Sequence, residues 1–80
     1  MRIPRDVSGA DMVKALQRVC YFVARQTGSH IRVVTQEPSE HRVTIPNHDF
    51  IKIGTLSSIL DDVANHLAIN RSELLSRLKL

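Results

Sequence analysis

The chain has 80 residues, of which 42% are hydrophobic and 24% are charged, and this composition is that of a globular rather than a disordered protein. Its net charge of +3 is compatible with a polyanionic partner. Its only aromatic residues are Tyr21, Phe22 and Phe50, which excludes a base-stacking platform. Any binding of nucleic acid must therefore rely on phosphates and shape. No apolar run is long enough to span a bilayer.

The start of the chain and its cysteine content predict the compartment. The first six residues include charges but are not followed by the apolar segment of a secretory signal. Cys20 is the only cysteine, so no intrachain disulfide can form and a reducing compartment is expected. We therefore expect a single domain, residues 1–80, that is cytoplasmic and has no membrane segment.

The first part of the chain predicts an extended lead-in followed by a helix. Residues 1–7 are expected to be extended, because Pro4 disfavours helical geometry at the residue before it. Ser8 is a suitable N-cap, with the Asp11 carboxylate three residues later. Apolar residues then recur at helical spacing up to about residue 20. Cys20 falls on the apolar side of this helix and is expected to be buried.

Three strands are predicted next. Residues 21–26 and 31–35 are rich in strand-forming side chains, and the short T-G-S segment between them is a hairpin signal. A polar segment containing Pro38 forms the second turn. The third strand covers residues 41–45 and is closed by Pro46. This pattern predicts an antiparallel meander.

Alternation along the second strand predicts which side chains face the core. Ile31, Val33 and Thr35 share one face, and His30, Arg32 and Val34 share the other. The apolar face is expected to pack against the helices. His30 is therefore expected to be accessible to solvent.

Two helices are predicted after a loop at residues 46–54. Thr55 resembles an N-cap and is followed by apolar residues at helical spacing as far as Leu67. Asn70 begins a further short helix in a capping-box pattern. The predicted fold class is α+β: helix, three-stranded antiparallel sheet, helix and short helix. The helices are expected on one face of the sheet, with the other face open to solvent.

The stretch from Arg25 to His30 has the residue types that RNA cleavage requires. RNA supplies its own nucleophile, the 2′-hydroxyl, so a nuclease can work with an acid, a base and stabilisation of the phosphate charge. The His30 imidazole can accept and donate a proton near neutral pH. Gly28 allows close approach of the backbone, Ser29 can donate a hydrogen bond, and Arg25 offers a guanidinium suited to phosphate oxygens. From these residues alone, an ordinary hairpin turn followed by an exposed histidine is the simpler interpretation.

Other polar residues extend this candidate site. His48 follows the third strand, whose end lies beside the start of the second strand in a meander, so it can approach His30 and assist in acid–base chemistry. Arg32 and Arg42, with Arg25, place one basic residue on each strand, where they can contact a phosphodiester backbone. A solvated mixed-charge surface is the alternative. No histidine or cysteine pair has metal-ligand spacing, so no metal or other cofactor is expected.

Four sequence blocks follow one another along the chain: I-P-R-D-V-S-G at residues 3–9, R-Q-x-G-S-H at 25–30, V-x-I-P-x-H at 43–48 and G-T-L-x-x-I-L at 54–60. In this order they resemble the HicA family of toxin–antitoxin ribonucleases. The resemblance covers roughly residues 3–64. It implies a fold similar to the double-stranded RNA-binding domain, in agreement with the order of elements derived above.

The resemblance implies an endoribonuclease toxin that cleaves mRNA, with His30 as the catalytic residue. The acid–base chemistry described above needs no metal, so we expect the cleavage to be metal-independent. It also implies a HicB-type antitoxin that blocks the toxin, and contact with operator DNA only through the toxin–antitoxin complex. Two other hypotheses remain open. One is a non-catalytic RNA-binding module on the same scaffold, and the other is a protein that only docks a partner chain.

Overall fold

The structure is a computed structural model that describes residues 4–80. Its elements, in chain order, are α1 (Gly9–Leu16), a 3-10 turn (Gln17–Val19), β1 (Phe22–Thr27), β2 (His30–Thr35), β3 (His41–Pro46), α2 (Ile53–Leu67) and α3 (Arg71–Leu78). This order confirms the predicted α+β class. The predicted lead-in falls partly on residues 1–3, which lie outside the described part of the chain.

Helix α1 begins as its sequence predicts. The Ser8 hydroxyl accepts a hydrogen bond from the Asp11 amide at 3.0 Å, and the Asp11 carboxylate accepts one from the Ser8 amide at 3.1 Å. This capping box satisfies two amides that the first turn leaves without helical partners. The helix ends in a 3-10 turn at Cys20, which has a left-handed φ of 70°. Cys20 is exposed there, so the prediction of a buried cysteine was wrong: the end of the helix rotates it away from the core.

The sheet is an antiparallel meander in the order β1-β2-β3. In β2, Ile31, Val33 and Thr35 are buried and His30 and Arg32 are exposed, as the alternation predicted. Helices α1 and α2 pack on the buried face, mainly against β3. The other face is open to solvent. The arrangement is consistent with a fold like the double-stranded RNA-binding domain, and it leaves the His30 face uncovered.

Helix α2 begins at Ile53, with Lys52 at the N-cap position and no side-chain cap, so the prediction of Thr55 as the N-cap was wrong. The loop before α2 determines where the helix starts. Ile51 is buried, and its amide donates to the Val7 carbonyl at 2.8 Å, so the chain turns into the helix directly after it. Burial of Ile51 therefore outweighs the local preference of a threonine for the cap position.

The short helix α3 is attached to α2. Asn70 caps it by accepting a hydrogen bond from the Glu73 amide at 2.8 Å, which confirms the predicted cap. The other half of the predicted capping box does not form, because the Glu73 carboxylate pairs with Arg77. Arg71 reaches back to α2, where it pairs with Asp61 and donates to Ser57. Leu74, Leu75 and Leu78 are buried, so α3 completes the core. Among residues 4–80, no helix is long and apolar enough to cross a membrane.

Candidate nucleic-acid interface

The hairpin between β1 and β2 presents His30. Thr27 pairs with His30, so Gly28 and Ser29 are the only residues between the two strands. Gly28 has a φ of +55°, a left-handed conformation that glycine adopts without steric cost. The geometry of the turn thus favours glycine at this position, and His30 is the first residue of β2 after it.

Backbone hydrogen bonds fix this turn to the rest of the molecule. The Asn47 amide donates to the Ser29 carbonyl at 2.7 Å, which ties the end of β3 to the hairpin. The Gly9 amide donates to the His48 carbonyl at 2.9 Å, which ties the next residue of the loop to the start of α1. The hairpin, the loop after β3 and the start of α1 are therefore held together at one end of the sheet.

A shallow cavity of about 290 Å³ lies on the open face beside this turn, and its lining residues are Arg25, Thr27, His30, Arg32 and Thr44. Three of the predicted site residues, Arg25, His30 and Arg32, thus come together. No carboxylate lines the cavity, so it suits an anion. Thr27 and Thr44 were not predicted. Strand alternation contained the signal for Thr44, because the buried Val43 and Ile45 place the residue between them on the open face.

The other predicted residues lie beside the cavity and not on its lining. Gly28 and Ser29 form the turn next to it. Pro46 is the residue of β3 that pairs with His30, and His48 lies two positions further along the chain. The backbone thus places His48 near the same end of the sheet, while its side chain is absent from the cavity wall. Arg42 shares the open face, but it is paired with Glu40 at 2.7 Å and lies opposite Val34.

An irregularity in β1 determines where Arg25 lies. Val23 pairs with Val33, and the next regular pair is Arg25 with Arg32, so Ala24 is an additional residue in β1. Such a bulge shifts the alternation of the strand by one position. Because Val33 is on the buried face and Arg32 is on the open face, the bulge puts Arg25 on the face of His30. Regular alternation would have put Arg25 on the face of Val23.

A second polar cluster, which sequence reasoning missed, lies at the other end of β3. The His41 imidazole is 2.6 Å from the Tyr21 hydroxyl through Nδ1 and 3.1 Å from the Asp62 carboxylate through Nε2. The carboxylate can only accept, so in neutral His41 the Nε2–H donates to Asp62 and the Tyr21 O–H donates to Nδ1. Burial, assisted by the charge of Asp62, raises the pKa of Tyr21 to about 12.

His66 completes this cluster. Its ring stacks on that of His41 with centroids 4.4 Å apart, and its Nε2 donates to the Ser39 carbonyl at 3.0 Å. The cluster joins α2 to β3 and to the turn before β3. The only sequence signal was that Asp62 and His66 are four residues apart and so share a face of the helix. Its buried, fully hydrogen-bonded tyrosine indicates a structural role.

The described residues hold no group of three or more histidine, cysteine, aspartate or glutamate side chains that could bind a metal ion. The cationic cavity around His30 is the candidate functional site, because it brings together Arg25, His30 and Arg32. Its geometry suits a phosphate next to an imidazole.

Comparisons with known proteins identify the family. The sequence model of the HicA toxin family, described as the HicA toxin of bacterial toxin–antitoxin systems, matches residues 9–64. This range includes the hairpin, the loop after β3 and most of α2. A search of curated proteins and a search of solved structures each gave no significant match. The match covers well over half of the chain, and the chain therefore belongs to the HicA family of toxins from bacterial toxin–antitoxin systems.

Proposed function

We propose that this toxin is a metal-independent endoribonuclease that cleaves mRNA at the cavity around His30. The observation that carries the proposal is the exposed imidazole of His30 beside two guanidinium groups, in a cavity without a carboxylate. The membership of the chain in a toxin family supports it, because cleavage of mRNA is a direct way to stop growth.

His30 acts as a general acid or base in this proposal. The 2′-hydroxyl of the RNA attacks the adjacent phosphorus and loses its proton, and the bond from phosphorus to the 5′-oxygen breaks as that oxygen gains a proton. The products are a 2′,3′-cyclic phosphate and a 5′-hydroxyl. One imidazole cannot perform both proton transfers in the same step, so a second group is needed. His48 is our candidate for it, because the hydrogen bond from Asn47 to Ser29 holds the preceding backbone against the hairpin.

The remaining site residues bind the RNA backbone. Arg25 and Arg32 provide fixed positive charge for phosphate oxygens. Gly28 and Ser29 provide a turn that the RNA can approach closely. A HicB-type antitoxin would neutralise the toxin, and operator DNA would be contacted only by the complex of the two proteins.

The test is the incubation of purified toxin with RNA in excess EDTA, followed by identification of the new ends. We expect cleavage with 2′,3′-cyclic phosphate ends, loss of cleavage in His30→Ala, and no cleavage of RNA that is 2′-deoxy at the cleavage site. Gln26→Ala, an exposed neighbour outside the cavity, is the matched control and should retain activity. Thermal unfolding of both variants checks that they are folded.

A different result would contradict each part of the proposal: the role of His30, the metal independence and the cleavage itself. Cleavage that persists in His30→Ala contradicts the role of His30, and cleavage abolished by EDTA contradicts the metal-independent mechanism. Salt-dependent RNA binding without any cleavage favours the non-catalytic RNA-binding module instead. In cells, expression of the toxin should arrest growth, and co-expression of its antitoxin should relieve the arrest.

A further inference from the structure

The open face of the sheet carries two rows of side chains beside the turn. The row nearest the turn consists of Thr27, His30 and Pro46, which are paired across the three strands. The next row consists of Arg25, Arg32 and Thr44, which are also paired across the strands. We call this second row the arginine row. Both rows contribute to the same cavity, because Arg25, Arg32 and Thr44 line it together with Thr27 and His30.

The arginine row places two like charges directly opposite each other. Such a cross-strand pair is unfavourable by roughly 0.2–1 kcal/mol in the absence of a counter-ion. All eight carboxylate side chains of the protein lie in the described residues, and none forms an ion pair with Arg25 or Arg32. By contrast, Arg42 on the same face is paired with Glu40. The β1 bulge thus creates a pair of guanidinium groups that no carboxylate side chain of the protein neutralises through an ion pair.

The distance between the two rows matches the repeat of an RNA backbone. Adjacent residues on one face of a strand are two positions apart, so the rows are separated by about 7 Å. This is comparable to the spacing of consecutive phosphates in an extended single strand. A scissile phosphate beside His30 thus leaves the arginine row at the position of the next phosphate along the chain. The Thr44 hydroxyl can donate a hydrogen bond to that phosphate.

We propose that Arg25, Arg32 and Thr44 form a subsite for the phosphate that neighbours the scissile one. This inference rests on the proposed function of the His30 site and defines its substrate as single-stranded RNA with at least two consecutive phosphodiester linkages. The arginine row binds substrate and is separate from the proton transfers at His30. A substrate with one linkage occupies the His30 position only.

The experiment compares the cleavage of three substrates. A dinucleoside monophosphate has only the scissile linkage. Each of two trinucleotides has a second linkage, on the 5′ side of the scissile linkage in one and on the 3′ side in the other. Matched trinucleotides carry an uncharged methylphosphonate at the second linkage. Loss of one charge-assisted contact corresponds to about 10- to 100-fold in kcat/KM. We expect the wild type to prefer one of the charged trinucleotides by about this factor. The methylphosphonate should remove the preference.

Variants assign the preference to the arginine row. Arg32→Gln and Arg25→Gln should lower kcat/KM on the charged trinucleotide by a much larger factor than kcat/KM on the dinucleoside monophosphate. Thr44→Val should have the same pattern with a smaller effect, because a neutral donor contributes less than a charged one. Arg42→Gln is the matched control, since Arg42 lies on the same face outside the cavity, and it should change neither rate.

Two results would overturn the subsite. One is a wild-type enzyme that is indifferent to the second phosphate, and the other is an equal loss on both substrates in Arg32→Gln, which would assign the row to the scissile phosphate. Measuring the affinity of the toxin for uncleavable 2′-deoxy di- and trinucleotides distinguishes failure of the subsite from failure of the proposed function. If no RNA is cleaved, preferential binding of the charged trinucleotide that is lost in Arg32→Gln still supports the subsite, and equal binding refutes it.

Discussion

Tyr21 should make the stability of the fold fall steeply at alkaline pH. Its side chain is fully buried, and its hydroxyl donates to Nδ1 of His41 at 2.6 Å. Burial first, and the nearby Asp62 carboxylate second, raise its pKa from 10.0 to about 12. The folded chain therefore keeps the phenol proton over a pH range in which the unfolded chain has lost it.

The sign and size of the effect follow from this difference. The contribution of neutral Tyr21 to stability is complete below pH 10 and is lost as the pH rises from 10 to 12. A difference of two in pKa corresponds to about 3 kcal/mol of unfolding free energy. This is a large fraction of the stability of so small a domain, for which about 5 kcal/mol in total is typical.

The variant Tyr21→Phe isolates this contribution. It removes the hydrogen bond to His41, so it should be less stable than the wild type by about 1 kcal/mol at neutral pH. It cannot ionise, so it should lack the alkaline decrease due to Tyr21. The two curves of unfolding free energy against pH should therefore cross at about pH 11, where the wild type has lost about 1 kcal/mol of stability.

Urea denaturation of both proteins from pH 7 to pH 12 measures the two curves. Lysine residues titrate in the same range, but their effect is common to both proteins and cancels in the difference. Because Tyr21 is the only tyrosine and there is no tryptophan, phenolate absorbance also reports its ionisation directly. Parallel curves that do not cross, or a phenol that titrates at its ordinary pKa in the folded chain, would refute the reasoning.

The glycines provide the remaining predictions. Gly9→Ala should destabilise the protein by about 1–3 kcal/mol, because the added Cβ would lie 2.9 Å from the Asn47 Cα and against the Pro46 carbonyl. Gly54→Ala, in open space near the start of α2, should instead stabilise it by up to about 1 kcal/mol, and urea denaturation compares the two. Gly28→Ala has space for its Cβ but a φ of +55°, so it should cost about 1 kcal/mol and reduce RNA cleavage by disturbing the turn before His30. Wild-type stability and cleavage in this variant would contradict that role for the turn.

The sequence was sufficient for features that depend on local periodicity. The amphipathic pattern of the helices gave their order, and the alternation of Ile31 and Val33 put His30 on the open face. These features are predictable because one buried face imposes its period on the residues of each element. The caps at Ser8 and Asn70 are equally local, since each satisfies an amide only three residues away.

Features that depend on packing between distant segments were not predictable. The bulge at Ala24 reverses the alternation of β1, yet alanine has no special preference for a bulge. The start of α2 is fixed by the burial of Ile51 and by the hydrogen bond from its amide to the Val7 carbonyl, and this outweighs the capping preference of Thr55. The cluster of Tyr21, His41 and Asp62 forms only because β3 packs against α2, and no spacing in the sequence indicates it.

The connection of the candidate site to the core explains why its residues can be tested one at a time. The turn before His30 is held by the bond from the Asn47 amide to the Ser29 carbonyl, and the adjoining loop is held by the bond from the Gly9 amide to the His48 carbonyl. These bonds use backbone atoms only, and the side chain of His30 is exposed. Replacement of His30 therefore removes its chemistry and leaves the fold supported, whereas a change at Gly9 alters the support of the loop that carries His48. A loss of cleavage in His30→Ala without a loss of stability would thus be evidence for a catalytic role.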